Sequence, residues 1–131
     1  MATILIVDDD VNSRLLVQSV LAHAGHRVLE AGDGGAAFNL AAAEQPALIL
    51  LDLHLRGSTG TDFMRALRAD RRTARLHVAL YTASVETPAM TDFIAIYRIA
   101  GRIPKPAAPR ELSAAVERAL AATAASDEKK L

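Results

Sequence analysis

Two short apolar segments of this chain are each followed by acidic residues. Asp8 and Asp9 follow the first segment, and Asp52 follows the second. Unbroken apolar runs of this length are typical of strands that are buried on both faces. If the two strands are neighbours, their carboxylates converge and repel one another, so that a divalent cation, a proton or a lysine must compensate the charge. Two further short segments end in Thr82 and in Lys105, which add a hydroxyl and an ammonium group.

These side chains together would suit the transfer of a phosphoryl group. Carboxylate oxygens favour a hard cation such as Mg²⁺, which keeps few protein ligands and also binds phosphate oxygens. With part of the negative charge shielded, Asp52 can act as a nucleophile and form an acyl phosphate. Thr82 would donate a hydrogen bond to one phosphoryl oxygen, and Lys105 would place a positive charge beside another.

Each of these residues alone has a more ordinary explanation. An aspartate after a strand commonly turns the chain or caps the next helix, and we assign only that role to Asp10. A single threonine or lysine at a strand end is more often unrelated to any ligand. The prediction depends on the combination, because unrelated residues would all have to fall at one edge of the same sheet.

Strands and helices alternate along the chain. Strands are predicted at residues 3–7, 27–31, 47–51, 77–81 and 102–103. Helices are predicted to begin near residues 12, 34, 61, 88 and 109, several of them after a capping residue or at a proline. Alternation with such short connections implies parallel strands, right-handed crossovers and helices on both faces of the sheet. Ligands bind beyond the carboxyl ends of the strands in such a sheet, and the candidate residues all follow those ends.

The length and composition limit what the chain can be. Its 131 residues are enough for one domain with a single core, placed at residues 1–124, and a polar tail at 125–131 that is expected to be disordered. The formal net charge is zero, and no stretch is basic enough to indicate nucleic-acid binding. The chain has no cysteine, and no apolar run approaches the ~20 residues of a membrane span. We expect a cytoplasmic protein without disulfides, signal peptide or membrane span.

These residues and their spacing resemble the receiver domain of bacterial two-component response regulators. The resemblance covers the chain from Thr3 to about Ala124. It rests on the stretches Ile4–Asp10, Leu51–Leu53, Gly60, Thr82–Ala83 and Lys105–Pro106. It implies an α/β fold, namely the flavodoxin-like doubly wound (βα)5 sandwich, in which a five-stranded parallel sheet has the order 2-1-3-4-5.

The resemblance also implies a role for each acidic residue. Asp52 matches the aspartate that is phosphorylated in this family. Asp8 and Asp9 match the acidic pair that holds Mg²⁺, and Asp52 and the backbone carbonyl of His54 are its further ligands. The chain is then expected to be no enzyme beyond its own Mg²⁺-dependent phosphorylation and dephosphorylation.

The implied function is that of a phosphorylatable switch. Thr82 matches the switch hydroxyl and Lys105 the lysine that senses the phosphoryl group, with a cis peptide bond before Pro106. The phosphoryl group would come from a sensor histidine kinase or a histidine phosphotransfer protein. Its added charge would draw Thr82 inward and change the face formed by the fourth helix, the fifth strand and the fifth helix. A downstream protein target is expected, without direct contact to nucleic acid or membrane, and the chain is expected to be a monomer or a weak homodimer.

Three departures from the family pattern concern the site. Arg102 lies three positions before the lysine, where the family usually has an aromatic residue that is coupled to the switch threonine. An arginine cannot be buried as a ring can, so that output coupling must be altered or use other groups. Arg56 replaces a proline that is frequent in the loop after the phosphoacceptor. His54 and Ser84, two residues after the phosphoacceptor and the switch threonine, occupy variable positions that tune the attack of water on the acyl phosphate.

Other functions are compatible with parts of the pattern. A phosphatase of the haloacid dehalogenase kind also uses a strand-end aspartate, Mg²⁺, threonine and lysine, but it requires a second aspartate where this chain has His54. A degenerate receiver would keep the fold as a docking scaffold without responding to phosphorylation, and Arg102 keeps that alternative open. Nucleotide binding is weaker still, because no glycine-rich loop follows the first strand. The sequence leaves open whether the chain is a stand-alone receiver or part of a longer protein.

Overall fold

The structure is a computed structural model that describes residues 1–55 and 58–129, and one parallel sheet forms its centre. The strands of that sheet are β1 (Thr3–Val7), β2 (Arg27–Ala31), β3 (Leu48–Leu51), β6 (Val78–Thr82) and β7 (Arg102–Pro104). Two shorter strands, β4 (His54–Leu55) and β5 (Ser58–Thr59), form a separate antiparallel pair soon after β3.

The strand order confirms the predicted topology. The parallel sheet has the order β2-β1-β3-β6-β7, which equals the predicted order 2-1-3-4-5 when the small β4–β5 pair is left out of the count. That pair lies in the segment that the sequence predicts as a loop. Because the strand order reverses at β1 and β3, the residues that follow these two strands line the crevice where ligands bind in such folds.

Five helices follow the strands in the described part of the chain. They are α1 (Val11–His23), α2 (Gly34–Glu44), α3 (Gly60–Ala69), α4 (Pro88–Ile96) and α5 (Pro109–Lys129). Four of them begin after a side chain that accepts a hydrogen bond from the first turn, and these caps are Asp10, Asp33, Thr59 and Thr87. None of the helices within residues 1–55 and 58–129 combines the length and apolar character that crossing a membrane requires.

The sheet separates two apolar cores because its central strands are buried on both faces. Ile4 and Ile6 pack on one side with residues of α1 and α5, whereas Leu5 and Val7 pack on the other side with residues of α2, α3 and α4. All four side chains are inaccessible to solvent. Burying a side chain of this size stabilises the fold by about 1.5–3 kcal/mol relative to exposure. The two cores therefore hold the ends of the strands, and the residues that follow them, in fixed positions.

The last helix is longer than the sequence predicts. The sequence predicts a disordered tail from residue 125, but α5 continues as a helix through Lys129. Thr123 is buried, and Nε2 of His77 lies 2.9 Å from Oδ1 of Asp127. The burial and this contact hold the end of α5 against the body of the domain. Alanine, which is frequent in this stretch, also favours helix. Residues 130 and 131 lie outside the described residues.

The fourth helix ends before Gly101, where the sequence places its end. It ends at Ile96, and Arg98 adopts the left-handed conformation with φ 55°. Arg68 of α3 stabilises this end, since its Nε donates to the carbonyl of Tyr97 at 2.9 Å and its Nη1 donates to two carbonyls of the loop after α3. Burial and the charge of Arg98 lower the pKa of Arg68 to about 10, which leaves it charged at neutral pH.

We expect the substitution Asp10→Ala to lower the free energy of unfolding by about 1 kcal/mol. Asp10 accepts a hydrogen bond from the amide of Asn12 at 3.0 Å, at the N-terminus of α1, and alanine offers no acceptor. Urea unfolding of the two proteins measures the difference. Asp10→Asn is the matched control, because asparagine caps helices equally well. An equal loss of stability in both variants would contradict the capping role.

Candidate functional site

Two carboxylates converge at the carboxyl edge of the sheet. Val7 and Leu51 are partners in the register of β1 and β3, so that Asp8 and Asp52 are the next residues of neighbouring strands. Asp8 is inaccessible to solvent and Asp52 is 8% exposed. The sequence predicts that these two acids converge if their strands are neighbours. The structure shows that β1 and β3 are neighbours and that Asp8 and Asp52 lie together.

Lys105 bridges the two carboxylates. Its Nζ donates hydrogen bonds to Oδ2 of Asp8 at 2.5 Å and to Oδ2 of Asp52 at 3.0 Å. The lysine reaches this position because it follows β7, the neighbour of β6, and because its own amide donates to the carbonyl of Thr82 at 3.0 Å. The peptide bond between Lys105 and Pro106 is cis, as the resemblance implies.

The second oxygen of each carboxylate accepts from a backbone amide. Oδ1 of Asp8 accepts from the amide of Asp10 at 2.9 Å, and Oδ1 of Asp52 accepts from the amide of His54 at 3.2 Å. One oxygen of each carboxylate therefore shapes the following loop while the other faces Lys105. This arrangement fixes the orientation of both groups.

The two carboxylates control the protonation of Lys105. Partial burial lowers the pKa of Lys105, but the hydrogen bonds and negative charges of Asp8 and Asp52 outweigh this effect and place its pKa above the ordinary value. Lys105 is therefore charged at neutral pH. One ammonium group faces two carboxylates here, and the half-buried Asp9 adds another carboxylate to the same edge. The site consequently carries more acidic groups than cations.

Thr82 lies at the end of β6, the strand beside β3. Its side chain is buried, and its Oγ1 accepts a hydrogen bond from the amide of Ser84 at 3.2 Å. A hydroxyl oxygen can accept while its proton is donated elsewhere, so Thr82 keeps a donor for a ligand oxygen. The hydroxyl therefore belongs to the same edge of the sheet as the carboxylates.

Ser84 connects three other residues of the site. Besides its amide bond to Thr82, its Oγ lies 2.7 Å from Nε2 of His54. Its carbonyl accepts from Nε of Arg102 at 3.1 Å and from Nη2 of the same arginine at 2.7 Å. The sequence singles out His54 and Ser84 together as variable positions, and Arg102 as a departure from the family pattern. It does not predict their contacts, because the partners lie 30 and 18 residues apart along the chain.

One residue of the site is absent from the sequence-based prediction. Arg14 of α1 donates from Nη1 to the carbonyl of Asp8 at 2.7 Å, and its Nε lies 3.4 Å from Oε1 of Glu30. It thereby fixes the loop between β1 and α1, but a single basic residue near the start of a helix carries no distinguishing signal. Arg56, which the sequence singles out in the loop after the phosphoacceptor, lies outside the described residues.

The family model of the response regulator receiver domain matches residues 4–117. This range contains all of the candidate residues described above. The chain belongs to this family. It is thus a receiver domain, the phosphorylatable switch of two-component response regulators.

Curated relatives of this receiver domain are response regulators. It is 34% identical over 125 residues to the phosphate regulon transcriptional regulatory protein PhoB of Pseudomonas aeruginosa. The matched region covers 95% of this chain and 54% of PhoB. It is 37% identical over 82 residues to Protein PilH of the same organism, and that matched region covers 63% of this chain and 68% of PilH. The chain therefore spans about half the length of PhoB.

Solved structures confirm the predicted fold class. The receiver domain matches the chemotaxis response regulator CheY4 of Vibrio cholerae with a TM-score of 0.82 and 27% identity, over 91% of this chain and 98% of CheY4. It matches NtrX from Brucella abortus with a TM-score of 0.83 and 29% identity, over 98% of this chain and 29% of NtrX. The shared architecture is the flavodoxin-like sandwich with a five-stranded parallel sheet.

The acidic residues of this receiver domain provide the donor atoms that Mg²⁺ prefers. Receiver domains generally bind this ion at the phosphorylation site. Within the described residues, no three His, Cys, Asp or Glu side chains are grouped closely enough to hold a metal ion, and Nζ of Lys105 lies between Asp8 and Asp52. The two converging carboxylates and the neighbouring Asp9 are nevertheless hard oxygen donors, and Mg²⁺ requires only one or two such ligands besides water and phosphate. The donor set therefore fits the ion.

We expect Lys105→Met to lower the free energy of unfolding at neutral pH by about 3 kcal/mol, because it leaves Asp8 buried without a counter-charge. The pKa of Lys105 is higher in the folded than in the unfolded chain. Its stabilisation is therefore complete below the unfolded value of about 10.4 and is lost as the pH rises through the folded value. The difference between wild type and variant should shrink in that alkaline range.

Urea unfolding at a series of pH values tests this expectation. Lys105→Arg is the matched control, because it keeps a positive charge beside both carboxylates and should lose less stability than Lys105→Met. Equal losses in the two variants, or a difference that stays constant at high pH, would contradict the role of the ammonium charge.

Proposed function

We propose that this receiver domain accepts a phosphoryl group on Asp52 and binds Mg²⁺ beside it. The ligands of the ion would be Asp8, Asp9, Asp52 and the backbone carbonyl of His54. The observation that carries the proposal is the contact of Lys105 Nζ with both Asp8 and Asp52. A lysine held against the acceptor carboxylate can neutralise charge on an incoming phosphoryl group. When bound, Mg²⁺ supplies a further shield between the carboxylates and the phosphoryl oxygens.

The transfer exchanges one bond to phosphorus for another. A carboxylate oxygen of Asp52 attacks the phosphorus of a phosphohistidine, so that an O–P bond forms and the N–P bond breaks. The imidazole leaves with the electron pair of the broken bond and takes up a proton from solvent. Lys105 and Thr82 then donate to oxygens of the new acyl phosphate, which is stabilised by these charge-assisted hydrogen bonds.

The partners follow from this chemistry. The donor would be a sensor histidine kinase or a histidine phosphotransfer protein in the cytoplasm, and the output would be a downstream protein that binds the face of α4, β7 and α5. The receiver domain itself would comprise residues 1–124 and act as a monomer or a weak homodimer, without direct contact to nucleic acid or a membrane. It would be no enzyme toward other substrates, because it acts only on its own phosphoryl group.

Incubation with Mg²⁺ and acetyl phosphate is expected to add the mass of one phosphoryl group to the wild-type chain and nothing to Asp52→Asn. The amide of asparagine keeps the size of the side chain but is no nucleophile for this reaction. Intact mass spectrometry measures the gain, and a chelator should abolish it. Asp10→Asn is the matched control and should gain mass like the wild type, because its side chain caps α1. A mass gain that persists in Asp52→Asn would overturn the choice of acceptor.

The same reaction separates the competing functions. Rapid consumption of acetyl phosphate without accumulation on the chain would favour a phosphatase. No transfer, either from acetyl phosphate or from a phosphorylated phosphotransfer protein, would favour a docking scaffold. A stable mass gain on Asp52 supports the switch.

His54 and Ser84 are proposed to control the lifetime of the acyl phosphate. Nε2 of His54 and Oγ of Ser84 lie 2.7 Å apart, and the contact joins the loop after Asp52 to the loop after Thr82. A pair of side chains that joins these two loops beside Asp52 restricts the access of water to the phosphorus of the acyl phosphate. The pair therefore slows hydrolysis.

We expect His54→Ala and Ser84→Ala each to accelerate loss of the phosphoryl group several-fold, as followed by intact mass after the donor is removed. Because the two side chains act through one contact, the double variant should decay no faster than the faster single variant. Decay at the wild-type rate in both single variants, or fully multiplicative effects in the double variant, would contradict this role.

A further inference from the structure

The guanidinium of Arg102 holds one backbone carbonyl with two hydrogen bonds. Its Nε and Nη2 donate to the carbonyl oxygen of Ser84 at 3.1 Å and 2.7 Å. Arg102 begins β7, and its partner in the register is Leu80 of β6, so that the sheet fixes its backbone. Ser84, by contrast, belongs to the loop between β6 and α4. The arginine therefore ties a loop to a rigid strand.

The same loop residue is bound to the phosphorylation site. The amide of Ser84 donates to Oγ1 of Thr82 at 3.2 Å, and its hydroxyl lies 2.7 Å from Nε2 of His54. If Thr82 turns toward a phosphoryl group on Asp52 and keeps its bond with the Ser84 amide, it carries Ser84 with it. The carbonyl of Ser84 then moves away from the guanidinium of Arg102.

The loop has few other contacts that oppose a displacement. Residues 83–87 form no helix or strand, and Val85 is 77% exposed. The helix that follows buries Met90 and packs the partly buried Phe93 and Ile94 against the core. Residues 83–87 themselves bury little apolar surface, and such a segment opens at low free energy, so that its hydrogen bonds supply much of the restraint. The two bonds from Arg102 to Ser84 are part of that restraint.

We propose that Arg102 is a positioning residue that clasps Ser84 in the unphosphorylated protein and releases it when Asp52 is phosphorylated. The proposal rests on the proposed function of Asp52 and names the residue through which that site controls the loop before α4. Phosphorylation moves Thr82, Thr82 displaces Ser84, and the displaced carbonyl leaves the guanidinium. The clasp thus favours the resting position and opposes the phosphorylated one.

Amide hydrogen exchange of the unphosphorylated protein tests the restraint itself. In Arg102→Ala, exchange of the Ser84 amide, which donates to Oγ1 of Thr82, should be faster than in the wild type, on the order of tenfold. Arg110→Ala, which removes an exposed arginine of α5, is the matched control and should leave exchange unchanged. Arg102→Lys should lie between, because a lysine keeps the charge without the planar pair of donors. Exchange at the wild-type rate in Arg102→Ala would overturn the clasp.

Binding of beryllofluoride, a phosphoryl mimic, in the presence of Mg²⁺ tests the release. Because the clasp stabilises only the resting position, its loss in Arg102→Ala should tighten beryllofluoride binding on the order of tenfold. The shifts of the Thr82 and Ser84 amide signals in NMR titrations measure the affinity. If Arg102 were needed only for folding, Arg102→Ala would bind beryllofluoride as tightly as the wild type or more weakly. Either result in a folded Arg102→Ala variant would overturn the release.

Failure of the clasp and failure of the phosphorylation site give different results. If Asp52 is not the acceptor, the wild type either gains no mass from acetyl phosphate or gains mass that persists in Asp52→Asn, and its Thr82 and Ser84 amide signals do not respond to beryllofluoride. The release is then overturned with the proposed function, and the exchange measurement alone decides the restraint. If the wild type responds and Arg102→Ala matches it in both measurements, only the clasp is overturned.

Discussion

The ammonium group of Lys105 between two carboxylates is the interaction on which the carboxyl edge of the sheet depends. It joins residues that follow β1, β3 and β7, because Nζ contacts both Asp8 and Asp52. Asp8 is inaccessible to solvent, and a buried carboxylate without a counter-charge costs several kcal/mol. Buried ion pairs are often no more stabilising than apolar residues of the same shape. The apolar cores on both faces of the sheet therefore stabilise the fold, and the ion pair keeps reactive groups together within it.

The site is electrostatically incomplete, and this imbalance is the basis of the proposed response to phosphorylation of Asp52. One ammonium group for two converging carboxylates leaves an excess of negative charge that favours a divalent cation. With that cation bound, the same place attracts phosphoryl oxygens. Thr82 is joined to this centre through its carbonyl, which accepts from the Lys105 amide, and to the next loop through its hydroxyl, which accepts from the Ser84 amide. A change of charge at Asp52 can thereby become a change of backbone position.

The sequence predicts the sheet well because buried parallel strands are short apolar runs bounded by polar residues. The bounds of β1 and β2 agree with the prediction, and the residues that follow the strands line one edge as expected. The contacts of Ser84 follow no period along the chain, since its partners lie 30 and 18 residues away, and no local pattern encodes them. The end of α5 is a similar case. Its alanine-rich, polar sequence is compatible with a helix or a frayed tail, and the contact between Asp127 and the distant His77 favours the helix.

In the proposed clasp, the replacement of a ring by Arg102 changes the physical nature of the coupling. An aromatic side chain responds to its surroundings through packing, and that free energy varies gradually with the area it buries. The hydrogen bonds of a guanidinium weaken steeply as distance and angle depart from their preferred values. Both bonds of Arg102 share one acceptor, the Ser84 carbonyl, so that a single displacement weakens them together. A clasp of this kind favours two distinct positions of the loop at residues 83–87, bound to Arg102 or released from it, over a continuous range of positions. It also needs no buried pocket, which removes the difficulty that an arginine cannot be buried as a ring can.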